Sequence, residues 1–196
     1  MALKPHFLRL GSLLYLSACL TAGYGCATHV PGPKETFDES SGTTLIVVQH
    51  PIVLARSRTD VAANMRDYVT LVVAKEDRSG KYSTWLIAYR WSTVDARFDA
   101  MRVAESGTLL LVGDARSITL SPAKQPPAFL RRGDLLFAPH FALDTWAYPV
   151  DLPTLRYLAA ARELSLRLQG DPLPVAYSIW EDGRSELLSL LAGAPR

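Results

Sequence analysis

Asp67-Tyr-Val-Thr-Leu-Val-Val-Ala-Lys75 and Tyr82-Ser-Thr-Trp-Leu-Ile-Ala-Tyr-Arg-Trp91, joined by Glu-Asp-Arg-Ser-Gly-Lys, decide the fold class. Both runs are rich in β-branched and aromatic residues, which suit a pleated, half-buried surface. The polar joint offers Gly80 for a backbone with positive φ, so the pair reads as a hairpin. Alternation puts Trp85, Ile87, Tyr89 and Trp91 on one face of the second strand, and Thr84, Leu86, Ala88 and Arg90 on the other.

The same reading extends outward. Upstream, Thr44–Gln49 is a β-branched run, His50-Pro51 interrupts it, and Ile52–Leu54 resumes it. Thr59-Asp60 is placed to cap a single helical turn through Met65. Downstream, Phe98–Val103, Thr108–Val112 and Ser117–Leu120 read as strands joined by Gly-containing turns. Pro122 to Pro139 is a longer irregular connection, after which Leu135–Ala138 and Thr145–Val150 are expected to pair. The C-terminal part differs. Asp151 is a plausible N-cap for a helix with Pro153 in its first turn and Leu152, Leu155, Leu158 and Ala159 at helical spacing, ending near Ala161. Glu163–Leu168 alternates as a strand, Gly170-Asp-Pro172 turns, Val175–Trp180 is another strand, and Asp182 or Gly183 opens a closing helix through Leu191. The expected fold is mainly β: an antiparallel β-sandwich or curled sheet of about eight to ten strands, with one or two short helices in the C-terminal part. The stretches 66–93 and 148–170 are similar to small secreted proteobacterial proteins of unknown function, a resemblance that carries no catalytic residues.

The N-terminus reads as an address. Lys4 and Arg9 make a positive start, and Leu10–Leu20 runs apolar, too short at about 11 residues for the roughly 20 that a spanning helix needs. Leu16-Ser17-Ala18-Cys19 resembles the lipobox of bacterial lipoproteins. That resemblance implies a signal peptide over residues 1–18, cleavage before Cys19 and lipidation of Cys19. Cys26 is a second candidate, although Gly23-Tyr24-Gly25 before it lacks the aliphatic residue. Ordinary cleavage to a soluble periplasmic protein is the alternative. Two or more acyl chains anchor a protein stably where one does not. Leu20 after Cys19 implies, by the same resemblance, the outer membrane facing the periplasm. Residues 19–43, with two prolines and a polar run, are then expected to be a flexible tether, and 44–196 a single β-rich domain.

Charge and composition exclude much. The 196 residues carry 21 Lys and Arg against 19 Asp and Glu, too even a balance for a nucleic-acid binder. Lys4 and Arg9 account for two of the 21, so the chain without its leader carries as many acidic as basic side chains. Two cysteines cannot build a disulfide framework or a four-thiolate zinc site. His29, His50 and His140 share no helical face with other ligands, and His140 and Asp144 lie four apart in a non-helical segment, so neither metal nor cofactor is expected. There is no nucleophile elbow and no phosphate loop. Asp95 with Asp99, or Glu105 with Asp114, are carboxylate pairs near turns, where solvation is the ordinary state.

The aromatic residues are the remaining candidates. Trp85, Tyr89, Trp91 and Trp146 are a possible ligand-binding set, with Tyr148 and Trp180 in later strands. The bland reading places these rings in the core. Arg90, Arg97, Arg102, Arg131 and Arg132 make a patch for an anionic partner if they converge, and a solvated surface if they do not. The function expected is a non-enzymatic binding or assembly component of the cell envelope, anchored to the membrane by its N-terminal lipid and meeting another envelope protein through a strand edge or apolar patch. The rival is an envelope enzyme or ligand carrier with an aromatic pocket under the Pro122–Pro139 loop.

Overall fold

The two strands that decide the fold class form the longest ladder in the molecule. The computed structural model describes residues 32–39, 41–94, 106–114, 116–131, 138–139, 142–171, 173 and 175–192, all within one compact unit spanning 31–196. Its strands are β1 (Lys34–Asp38), β2 (Thr43–Val47), β3 (Ile52–Ser57), β4 (Arg66–Arg78), β5 (Lys81–Ser92), β6 (Leu109–Gly113), β7 (Arg116–Leu120), β8 (Asp144–Pro149), β9 (Leu164–Leu168) and β10 (Tyr177–Glu181). The helices are α1 (Leu152–Ala160) and α2 (Arg184–Ala192).

β4 extends past the expected Asp67–Lys75 by one residue at its start and three at its end, and β5 past Tyr82–Trp91 by one residue at each end. Ser79 and Gly80 both take positive φ, 54° and 81°, which is the conformation a two-residue type I′ turn requires. The Asp77 carboxylate braces the turn by accepting from Gly80 N–H at 2.8 Å. The tight turn fixes the register, so Tyr68 faces Trp91, Val72 faces Ile87 and Ala74 faces Trp85.

Every pairing is antiparallel, in one ten-stranded open sheet ordered β1-β2-β4-β3-β10-β9-β6-β7, with β5 on β4 and β8 on β5. The curled sheet is therefore the form adopted, and there is no second sheet facing it among the described residues. β2 and β3 follow each other along one edge of β4, meeting residues 74–78 and 66–71. The curl brings the two ends of the sheet together. Ala123 N–H, just past β7, donates to Ala147 O on β8 at 2.8 Å, and the Tyr148 hydroxyl donates to Gly107 O ahead of β6. Gly107, at φ 74°, is needed there because the Trp146 ring leaves no room for a Cβ.

The inside of the curl is the main core. Leu54, Val69, Leu71, Leu86, Leu109, Leu111, Leu166, Tyr148 and Tyr177 fill it, and Leu155 and Leu158 of α1 with Leu187 and Leu190 of α2 close it. Asp151 does cap α1. Its carboxylate accepts from Thr154 N–H at 2.9 Å, and the hydrogen bonds to Thr154 hold that carboxyl below its usual range.

Several expectations are corrected. The supposed tether through residue 43 contains β1, which pairs over its whole length with β2, so the folded domain starts before Thr44. Thr59–Met65 is a run of turns with one helix-like hydrogen bond, Ala62 N–H to Arg58 O at 3.1 Å, and the Asp60 carboxylate accepts from the Arg58 guanidinium at 2.9 Å in place of a capping role. Thr145–Val150 becomes β8 and pairs with β5. The expected strand Phe98–Val103, residues 135–137, the expected leader with Cys19 and Cys26, His29, His140, Asp95, Asp99, Glu105, Arg97, Arg102 and Arg132 lie outside the described residues.

Candidate functional site

The outer face of the sheet carries the aromatic residues of β5, and it is divided. Toward the hairpin tip, Val72, Ala74, Ile87 and Tyr89 join Leu45 and Val47 beneath Phe129, with Trp85 and Leu130 at the margin. Phe129 comes from a single 3-10 turn, Ala128–Arg131, in the long connection after β7. That part of the connection fills the sheet face rather than roofing a cavity. Burial pushes the Tyr89 hydroxyl up to about 12.

Toward the other end the rings cover one another. Tyr68 and Trp91 stack with centroids 3.9 Å apart and planes 7° from parallel. Trp180 on β10 meets Tyr68 edge-on at 6.2 Å, and the Arg66 guanidinium lies 4.6 Å from the Trp180 ring centre. Val53 and Ala55 form the floor. Trp91 Nε1 donates to Thr70 Oγ1 at 3.0 Å, which fixes the indole plane. Tyr68 is buried, Trp91 is half-buried, and Trp180 keeps 51% of its surface exposed. This cluster of two indoles, a phenol and a guanidinium is the candidate site.

The four candidate aromatic residues are thus separated. Tyr89 is core and Trp85 packs at its margin; Trp146 lies on the inner face against the main core. Of the four, Trp91 alone belongs to the open cluster. Its neighbour Tyr68 was legible in principle, since Ser79-Gly80 is a two-residue turn signal and that register sets Tyr68 against Trp91.

The inner face at the same end of β4 holds a charged network that the sequence did not announce. The Asp67 carboxylate accepts from Arg56 Nε at 3.1 Å and Nη2 at 2.9 Å, from Arg58 Nη1 at 3.3 Å and from the Ser92 hydroxyl at 2.6 Å. Arg56 also reaches Asp171, and its guanidinium lies 4.4 Å over the Tyr177 ring. Both arginine side chains are 3% exposed. Burial acts to lower the Arg56 pKa, but the Tyr177 interaction and the hydrogen bonds to Asp171 and Asp67 outweigh it and hold the guanidinium above its ordinary range. Arg90 is bound to Asp144, at 2.8 Å through Nε, so it does not join a basic surface patch. These charges satisfy each other, which makes the network a fastening between β3, β4, β5 and the turn after β9.

Two other polar groups are also structural. The buried Glu186 carboxylate accepts from the backbone N–H of Gln49 and His50 at 2.8 and 2.6 Å and lies 3.0 Å from His50 Nδ1. It pins the His50-Pro51 bend to α2, where Gly183 passes too close to His50 and Pro51 for any Cβ. Asp114 accepts from the N–H groups of Arg162 and Glu163 at 3.1 and 3.2 Å.

The grooves are open. One of about 470 Å³ lies between Leu110, Arg167, Leu173 and Val175, and another of about 500 Å³ between Lys75, Tyr82, Trp85 and Leu152. Among the described residues no group of three or more His, Cys, Asp or Glu could hold a metal ion, and no helix is long and apolar enough to cross a membrane. No family model, curated protein or solved structure matches the chain.

Proposed function

We propose that this chain is a cell-envelope lipoprotein, anchored through Cys19 at the outer membrane, that serves as a non-enzymatic binding or assembly component. The observation that carries the binding role is Trp180, half outside the molecule yet held in place by the Tyr68–Trp91 stack and by Arg66. Trp, Tyr and Arg are the residues that dominate binding energy at protein interfaces; Trp and Tyr bury large area from two rotatable bonds, and the Arg guanidinium stacks and hydrogen-bonds as a planar fork. A rigid aromatic platform loses little entropy on docking. The anchoring role rests on the lipobox-like Leu16-Ser17-Ala18-Cys19 behind a positive start.

Each half of the proposal has its own experiment. Crosslinking in intact cells followed by purification from membranes should recover a partner with the native chain and lose it with Trp180→Ala at equal abundance; a partner retained at native yield would refute the platform. Cys19→Ala should abolish labelling by a fatty-acid probe. Labelling that persists and disappears only with Cys26→Ala would move the anchor to the second cysteine.

A further inference from the structure

The end strand β1 has a pattern that the binding platform does not use. It is the last strand on its side of the sheet and pairs only with β2, so its outer edge carries ladder groups that no described strand takes up. Lys34, Thr36 and Asp38 point to one face and Glu35 and Phe37 to the other, and Phe37 is 61% exposed. An exposed edge of this kind pairs readily with another strand, and charged residues on it decide which one.

We propose that β1 pairs antiparallel with β1 of a second copy of this chain, about a two-fold axis through Thr36. A two-fold axis normal to the sheet must bring same-face residues opposite each other, which restricts the register to centres on single residues. Centred on Thr36, Lys34 faces Asp38 of the second copy at both ends, and Glu35 faces Phe37. Centred on Glu35, that carboxylate faces itself; centred on Phe37, Glu35 faces Glu39. Only the Thr36 register sets opposite charges together. It also makes the two Phe37 rings diagonal neighbours, about 7–8 Å apart at Cα and within reach of each other, so the ring with the greatest exposure becomes covered. Asp38 accepts from the Ser41 hydroxyl among its contacts, and the two oxygens of a carboxylate accept from several donors at once. The contact is a single short strand, so the dimer dissociates on dilution.

A charge swap tests this. The protein mass of the full chain, purified in detergent, is followed by light scattering across a dilution series. Lys34→Asp sets carboxylate against carboxylate, and Asp38→Lys sets ammonium against ammonium, so each variant alone should dimerise at least tenfold more weakly than the native chain. Mixed one to one, the two variants place opposite charges at both ends and should recover native dimerisation. A native chain that stays monomeric at its highest soluble concentration overturns the proposal, and so does a mixture no better than its components. If Asp38→Lys disturbs the β1–β2 hairpin, thiol crosslinking in membranes replaces it. With Cys26 replaced by Ser, Thr36→Cys faces itself across the axis and should give a disulfide dimer, whereas Lys34→Cys in the same background should not. The reverse pattern, or no dimer from either, overturns the register.

Discussion

The outer face of β4 and β5 is one surface with two fates. Near the hairpin tip, Val72, Ala74, Ile87 and Tyr89 lie beneath Phe129, a residue about 40 positions later in the chain. At the other end, Tyr68, Trp91 and Trp180 shield one another and leave Trp180 half in solvent. Both halves are built from the same alternation of apolar residues. The difference is whether a remote segment arrives to cover them. Where it does, the rings are core. Where it does not, stacking and a guanidinium stand in for a cover, and the surface stays available to a partner.

The largest test concerns the strand that carries both faces. One residue before Tyr68, Asp67 points inward and holds Arg56 and Arg58. Asp67→Ala leaves two buried guanidinium groups sharing fewer acceptors, and should cost about 3–5 kcal/mol in urea unfolding. A loss below about 1 kcal/mol would mean water already reaches that end of the curl. Next is the covered half. Phe129→Ala uncovers the tip and leaves a void over Tyr89, so an unfolding loss of about 3 kcal/mol is expected. The open half should behave otherwise. Trp180→Ala removes one edge-on ring contact and one cation–π contact and should cost only about 1 kcal/mol. A loss as large as that of Phe129→Ala would make Trp180 a core residue and erase the distinction between the halves.

The last test is with pH. Burial raises the Tyr89 hydroxyl to about 12, so its neutral form is favoured in the folded chain. An unfolded tyrosine ionises near 10, as model peptides do. The contribution of Tyr89 is therefore complete below about pH 10 and declines as pH rises from there toward 12. Absorbance titration of the native chain against Tyr89→Phe should identify the Tyr89 step, and Phe129→Ala should bring that step down. A step unmoved by the substitution would show that Phe129 is not what keeps water from the hydroxyl.

Much of this fold was legible because local chemistry wrote it. β-Branched and aromatic runs marked β2, β4 and β5, alternating leucines marked β9, and Asp151 with Pro153 marked the start of α1. The register of the hairpin was legible too, in Ser79-Gly80, although a polar hexapeptide around it suggests a wider loop. β1 was hidden among prolines and polar residues because an exposed edge strand needs no apolar face. The site was less legible. Trp85, Tyr89, Trp91 and Trp146 are all aromatic residues in strands, and nothing in their spacing separates Trp91, in the open cluster, from the other three.

The sequence by itself determined the central strands, the Ser79-Gly80 turn and the Asp151 cap of α1, because those preferences act over a few neighbouring positions. It also carries Leu16-Ser17-Ala18-Cys19, the pattern of side chains on which the proposed anchor rests. The tertiary structure alone decided which aromatic face is closed and which is open, and which charges are buried together. Phe129 joins the buried cluster of Tyr89 and Ile87, Asp171 reaches Arg56 and Glu186 reaches His50 across separations that no local preference spans. Burial and ion pairing depend on distance in space, and the curl of the sheet sets that distance.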